Sequence, residues 1–496
     1  MGIVARLMMP VMALLFAAPA SAAWLEAESP HFLVYSDGKE QELRSNVRLL
    51  EDFHELLADL TGVDDPSSPS KLRIYLASSS KELRKVRNVG GGMGGFYLAT
   101  SEGVAAFAIR KDYGLGWAAD TLFHEYAHHF MLQHFPANYP TWYIEGFAEY
   151  LATVEFTDTH VDVGRDNRIR ATWLRANWYS LDNMLTRDSA SAGGSLFYAQ
   201  SWLMVHYLMR DPERRALLQR YLRGFAEGED PKASFRTVFE MDAVDFTRIL
   251  RGYGNDMTFT RIPRASRADP VAISVRRLPP SEDDLLLYSA GLSLGLADWG
   301  SYPVLPRVRD AVEDHPDDPA AMEALIRAEL LYGDRARAEA LLDRLLKLRP
   351  DDRDALYLRG LAHIHAGRAD SAARAEHFAK ARPWLARAHK ADENFYPALI
   401  RYAESFSADP AFAGENVGNI LLLAAQLAPQ VSLIRLNAAH QQALHGDFEM
   451  AKALLAPVVN EPHSTRLREA ARTLMAEVEA GKAPPAVFHI ERIEDD

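Results

Sequence analysis

The sequence predicts two folded units of different class, a mixed α+β unit in the first half and an all-α helical repeat in the second. Three observations carry this. Strand and helix patterns alternate between residues 31 and 112. A turn signal recurs 34 residues apart, at Gly333-Asp334 and Gly367-Arg368, each between two helical patterns. Between the two regions, residues 257–284 are rich in Pro, Arg and Ser and lack a period.

Length and composition set the bounds. A chain of 496 residues exceeds one ordinary domain. With 48% hydrophobic and 25% charged residues it has the balance of a globular protein. A net charge of −13 leaves no general basic surface for nucleic acid. The absence of cysteine removes disulfide scaffolds, thiolate metal sites and thiol nucleophiles. A metal site in this chain must therefore use His, Asp or Glu.

The first 22 residues read as a signal peptide. Arg6 supplies positive charge, residues 7–18 are apolar, and Ala20-Ser21-Ala22 forms a small-residue cleavage signature. The run is short for a membrane span, and no later segment offers eighteen uncharged apolar residues. An exported protein, periplasmic or secreted, with no stable transmembrane segment is expected.

The domain 23–256 follows. Residues 31–35 read as a strand, and residues 39–60 as an amphipathic helix with Leu43, Val47, Leu50, Phe53, Leu57 and Leu60 at helical spacing. Residues 72–76, 96–98 and 104–109 read as further strands, the last two joined by a turn. Residues 117–255 are mainly helical. Residues 257–284, with Pro263, Pro270, Pro279 and Pro280, are predicted to be a linker. The repeat unit spans 285–480. In it Ala338 opens a second helix ending near Pro350-Asp351, Gly446-Asp447 with Ala451 repeats the layout, and an insertion is expected around residues 375–384. Residues 481–496 are expected to be a tail that frays at Glu494-Asp495-Asp496.

The chemistry is concentrated in one segment. Residues 124–128 read His-Glu-Tyr-Ala-His within a helical pattern. On a helix His124 and His128 share a face and can ligate one zinc ion, with Glu125 beside them to act on a metal-bound water. Residues 140–150 read Pro-Thr-Trp-Tyr-Ile-Glu-Gly-Phe-Ala-Glu-Tyr, so a second helix capped by Thr141 carries Glu145 and Glu149 four apart. Phe135, Pro136, Asn138 and Pro140 break the first helix. Two antiparallel helices would bring Glu145 over the histidines. His124, His128 and Glu145 then supply the three ligands of a catalytic zinc, and Glu149 can accept the outer N–H of a ligand histidine.

His-Glu-x-x-His followed by Trp-x-x-Glu-Gly-x-Ala-Glu resembles the gluzincin metallopeptidases. The order of units, a peptidase MA-like domain followed by tetratricopeptide-like repeats, is similar to that of a group of exported bacterial proteins. The motifs cover about 27 residues, and the order of elements extends the resemblance over roughly residues 31–255. It implies a thermolysin-like (zincin) α+β fold, Zn2+ as cofactor, Glu125 as general base, Glu145 as third ligand and Glu149 as its support. It also implies that the strand after the glycine run is an edge on which an extended peptide pairs. The Gly-x-Met-Glu-Asn strand of the clan's aminopeptidases is not matched, because Gly92-Met93-Gly94-Gly95 lacks the Glu-Asn pair.

A donor opposite the metal is also needed to stabilise negative charge on the substrate oxygen. Tyr198, just after the Gly193-Gly194 hinge, is the first candidate, with His206 behind it. His129 and His134 fall on other faces of the motif helix and are expected to be partner-free or at the surface. Arg261, Arg264, Arg267, Arg276 and Arg277 read as a solvated linker face.

Two functional classes follow. One is an exported zinc-dependent metallopeptidase acting on a peptide or protein substrate, with the repeats receiving substrate or a protein partner. The other is a non-catalytic exported scaffold with a vestigial peptidase-like domain. The intact set of His124, Glu125, His128 and Glu145 favours the first.

Overall fold

The structure, a computed structural model, describes residues 24–64, 70–88, 94–110, 116–175, 177–186, 194–255, 257–264, 271–296, 304–461 and 464–489. The expected signal peptide, the glycine run as far as Met93, and the acidic end lie outside the described residues.

The first unit is built on a mixed sheet. Strands β1 (Leu25–Glu28), β2 (Phe32–Ser36), β3 (Leu72–Ala77), β4 (Gly95–Thr100), β5 (Gly103–Ile109) and β9 (Ser274–Arg277) lie in the order β4-β5-β3-β2-β1-β9. β2, β3 and β5 run parallel, while β4 turns back on β5 and forms an edge. A smaller sheet joins β6 (Glu155–Phe156), β7 (His160–Val163) and β8 (Thr260–Pro263).

Side-chain alternation gives the main sheet two apolar faces. Val34, Ile74 and Ala106 face helix α1 (Glu40–Thr61) and helix α3 (Gly116–His134), which meet through stacked Phe53 and Phe123 rings 4.0 Å apart. The neighbouring residues Tyr35, Tyr75 and Phe107 form an aromatic ladder on the other face, with ring spacings of 4.7 and 4.9 Å. A short α2 (Ser80–Leu83) follows β3. Helix α1 buries Leu43, Val47, Leu50, Phe53 and Leu57 as its periodicity predicts. Leu60 is instead 43% exposed, because it lies in the last turn before left-handed Gly62 ends the helix.

After α3 the chain forms α4 (Thr141–Ala152), α5 (Arg168–Trp173), α6 (Leu181–Thr186), α7 (Ser195–Met209), α8 (Pro212–Ala226), α9 (Pro231–Phe239) and α10 (Ala243–Tyr253). Gly146 is the contact that sets α4 against α7. A Cβ there would overlap the Ser201 carbonyl oxygen and stand 2.7 Å from Val205. Only glycine lets the two backbones approach so closely.

The stretch expected to be a linker is woven into both sheets. β8 completes the small sheet and β9 closes the main one beside β1. Three of its arginines are partnered, while Arg277 is exposed. Arg261 bonds both oxygens of Asp162 at 2.8 and 2.9 Å, Arg276 both oxygens of Glu26 at 2.6 and 2.8 Å, and Arg264 pairs with Asp52. Two short, largely exposed strands carry little hydrophobic periodicity, so the pattern concealed them. Arg267 lies outside the described residues.

Helix α11 (Glu282–Ser293), α12 (Val304–Glu313) and α13 (Pro319–Tyr332) cover the aromatic ladder with Leu285, Leu286, Leu292 and Val308. The boundary near residue 285 therefore runs through a shared core. Tandem helix pairs continue as α13 with α14 (Arg335–Leu348), α15 (Arg353–Ala369) with α16 (Arg374–Ala391), α17 (Tyr396–Glu404) with α18 (Glu415–Leu427), and α19 (Ser432–Leu444) with α20 (Phe448–Leu455), closed by α21 (Thr465–Glu479). Short turns make each pair antiparallel. Asp318, Asp334, Asp352 and Asp447 cap α13, α14, α15 and α20 through their side chains. The insertion expected at residues 375–384 is continuous helix, since α16 runs 18 residues through Pro383. The tail is not frayed up to residue 489. Asn437 bonds the His489 backbone at 2.8 and 3.0 Å, and His440 bonds the Pro485 carbonyl at 2.6 Å.

Candidate metal centre

Helix α3 carries His124 and His128 one turn apart, and α4 returns beside it carrying Glu145 and Glu149. Thr141 is the first helical residue rather than the cap. Pro140 occupies the cap position with no side-chain bond, its fixed φ starting the turn. Among the described residues, His124, His128 and Glu145 form the one group of His, Asp and Glu whose candidate ligand atoms all lie within 4.8 Å of one another.

Both carboxylate–imidazole separations are those of a tetrahedral set, and the imidazole–imidazole one is slightly shorter. The two Nε2 atoms stand 3.1 Å apart, and Glu145 Oε2 lies 3.6 Å from His124 Nε2 and 3.5 Å from His128 Nε2. Zinc bonds of about 2.0–2.2 Å in tetrahedral geometry put ligand atoms about 3.3–3.6 Å apart. Glu145 is fully buried, yet neither of its oxygens finds a hydrogen-bond donor among the described residues. A buried carboxylate left this way is costly unless a cation completes it. The residues present fit zinc on these grounds.

The electrostatics agree. Burial alone would raise the Glu145 pKa, but the adjacent His128 and His124 hold it well below the usual carboxylate range. For His124, burial opposes protonation. The carboxylates Glu145, Glu125 and Glu149 outweigh it and push the pKa to about 9. Three acids around the imidazoles thus create a site that favours positive charge.

Glu149 stands one turn beyond Glu145, with Oε1 3.4 Å from His124 Nδ1. It is itself held. Arg170 bonds both its oxygens at 2.8 and 2.5 Å, and Asn167, which caps α5, donates at 3.2 Å. The sequence reading did not find Arg170 or Asn167. A short helix with no buried residue carries no pattern that points to a site.

Tyr198 enters the same space from the first turn of α7, after Gly194 at φ +90°. Its ring centroid is 6.4 Å from that of His124, and the Arg170 guanidinium lies 5.1 Å from the ring centre. The Glu145 charge and then burial raise its hydroxyl pKa, so the oxygen keeps its proton and remains a donor. His206 is elsewhere, with its two ring nitrogens 2.7 Å from Gly164 O and Tyr253 Oη. Glu125 is partly exposed on α3. His129, expected to lack a partner, is buried against β4, where its Nδ1 meets the Tyr97 hydroxyl at 2.9 Å. The sheet covers that helix face, which a helical wheel alone does not reveal. His134 is half-buried, its ring 4.4 Å from that of Phe130.

No family model matches the chain, and no curated protein matches it. Among solved structures, a thermophilic TPR protein of Thermus thermophilus is 20% identical, with a TM-score of 0.33, over 40% of this chain and 99% of that one. A chain described as MamA MSR-1 C2 is 14% identical, with a TM-score of 0.25, over 38% of this chain and 92% of that one.

Proposed function

We propose that this protein is an exported zinc-dependent metallopeptidase with a thermolysin-like (zincin) catalytic unit and a tetratricopeptide-like helical repeat unit. The observation that carries the reading is the buried Glu145 carboxylate, without hydrogen-bond donors, facing two imidazoles at tetrahedral spacing. His124, His128 and Glu145 would hold the ion, leaving the fourth position for water or substrate.

A bound zinc would polarise a peptide carbonyl and acidify a water near neutral pH. The remaining work falls to side chains. Glu125 takes a proton from the attacking water as its oxygen bonds to the carbonyl carbon. The same carboxyl then passes the proton to the amine nitrogen as the C–N bond breaks. Tyr198 keeps its hydroxyl proton and donates to the oxygen that gains negative charge. Glu149, fixed by Arg170, orients His124 and keeps Nε2 free for the ion.

The test is peptide cleavage by purified protein loaded with one equivalent of zinc, with Glu125→Gln as comparison. The reading expects turnover that chelation abolishes, and loss of turnover in Glu125→Gln with zinc retained. Turnover that survives chelation, or an equally active Glu125→Gln, overturns it. A wild-type chain that binds zinc and cleaves nothing supports the non-catalytic scaffold instead.

A further inference from the structure

We propose that the repeat unit grips the β4–β5 turn of its own chain, and that this grip positions edge strand β4 beside the metal centre. In its use of β4 as a rail for substrate, the inference rests on the peptidase reading above.

The turn Thr100–Gly103 is held by the first helices of two successive helix pairs. Glu102 receives the Tyr357 hydroxyl of α15 on one oxygen at 2.5 Å and Arg401 Nε of α17 on the other at 2.7 Å. Arg401 also donates to Ser101 Oγ at 2.8 Å, and the Tyr396 hydroxyl donates to the Thr100 carbonyl at 3.0 Å. Behind the turn, Glu404 accepts from Arg401 at 2.8 Å and from Arg368 at 2.6 and 2.8 Å. Arg401 is 4% exposed and Ser101 and Glu404 fully buried. On either side of the turn, Ala99 and Val104 pack against the apolar cluster formed by α17 to α21.

Such an arrangement specifies position as well as contact. Two carboxylates and the Arg401 guanidinium, removed from water, are tolerable only when each finds its partners, and the partly exposed Arg368 completes the set. A slip of one residue in the hairpin would take Glu102 from its two donors, while Arg401 would keep only Glu404. An apolar contact would impose no such register.

The grip reaches the metal centre by two routes. β4 begins at Gly95 and carries Tyr97, whose hydroxyl meets His129, the residue after ligand His128. On the other side, Asn460 donates to Asn138 Oδ1 at 2.7 Å and to the Tyr139 carbonyl at 3.2 Å, in the turn joining the two metal-bearing helices. An edge strand offers main-chain groups with which an extended peptide can pair. Small errors in the placement of substrate cost large factors in rate. A repeat unit that holds the strand through α15 and α17, and the α3–α4 turn through Asn460 between α20 and α21, is therefore placed to set how substrate meets the metal. Arg401 is a positioning residue in this scheme. It acts through Glu102 and touches neither metal nor substrate.

The experiment uses the full-length zinc-loaded protein. Hydrogen exchange of residues 95–109 and of residues 432–444 is measured in wild type, Glu102→Gln and Tyr357→Phe, together with zinc stoichiometry and peptide-cleavage kinetics. For Glu102→Gln the expected result is exchange of residues 95–109 faster by about tenfold. Residues 432–444 and zinc content should not change, and KM should rise about fivefold or more with kcat within about twofold. Tyr357→Phe removes one hydrogen bond and should move the same quantities less, which keeps the test decisive if Glu102→Gln does not fold. Unchanged protection of residues 95–109 in both variants overturns the grip. Equal acceleration of both segments overturns it too, by showing general destabilisation. Loss of kcat at constant KM overturns the positioning role. A wild-type chain that cleaves no peptide defeats the peptidase reading alone, since exchange still decides whether the repeat holds β4.

Discussion

Arg170 holds Glu149 on both carboxylate oxygens, at 2.8 and 2.5 Å, while Glu149 stands 3.4 Å from the outer nitrogen of His124. The chain Arg170–Glu149–His124 explains why a helix with no buried residues lies beside the candidate metal centre. It also yields a first expectation. Glu149→Gln should weaken zinc binding about 10- to 100-fold, measured by competition with a chelator, because the imidazole loses its anionic support. Affinity equal to wild type would remove Glu149 from the centre.

Tyr198→Phe tests the hydroxyl alone. With zinc stoichiometry held at the wild-type value, kcat on a peptide substrate should fall about 10²- to 10³-fold. Steady-state kinetics on the zinc-loaded variant provide the check. A kcat within twofold of wild type assigns Tyr198 to packing.

Gly146→Ala tests the backbone approach that positions α4. Its methyl group would overlap the Ser201 carbonyl oxygen, in a helix contact with no slack. The expected cost is about 1–3 kcal/mol, read from denaturant or thermal unfolding. An unfolding midpoint for Gly146→Ala equal to wild type would show that α4 and α7 can separate freely.

The C-terminal segment provides the pH dependence. His489 lies 3.1 Å from His440 and is held neutral, its pKa lowered to about 4 by burial and then by His440 and Arg466. A histidine with a folded pKa below its unfolded value of about 6.5 binds more protons when released. Docking of residues 482–489 should therefore be complete above pH 6.5 and weaken progressively toward pH 4. Exchange protection factors for that segment, corrected for intrinsic rates, should fall over this window. They should fall less in His489→Gln. Protection constant from pH 7 to pH 4 would contradict the assignment.

The parts of the chain that were legible in sequence are those where one face is buried. Helix α1 showed through Leu43 to Leu57, and β2, β3, β4 and β5 through short apolar runs. Helices α3 and α4 were legible because their residue pattern places His124 and His128 one turn apart and Glu145 on the neighbouring helix, and the structure brings these three side chains together. What stayed hidden was held by distant polar partners. β9 depends on Glu26–Arg276, the site's support on Arg170, and the link between units on Glu102–Arg401, whose residues lie 299 apart. Ion pairs of this kind leave no period in the sequence. Arg261 and Arg276 remain largely exposed, as the sequence suggested, but each is also tied to a carboxylate, Asp162 and Glu26, that no local pattern points to.

The central claim is that His124, His128 and Glu145 form one zinc site. Metal analysis of the purified full-length chain, apo and after addition of one equivalent of zinc, tests it most directly alongside His128→Ala and Glu145→Ala. The account predicts one tightly held zinc per wild-type chain, and none in either variant after dialysis, with folding retained by circular dichroism. A wild-type chain that takes up no zinc, or variants that retain it, would contradict the claim.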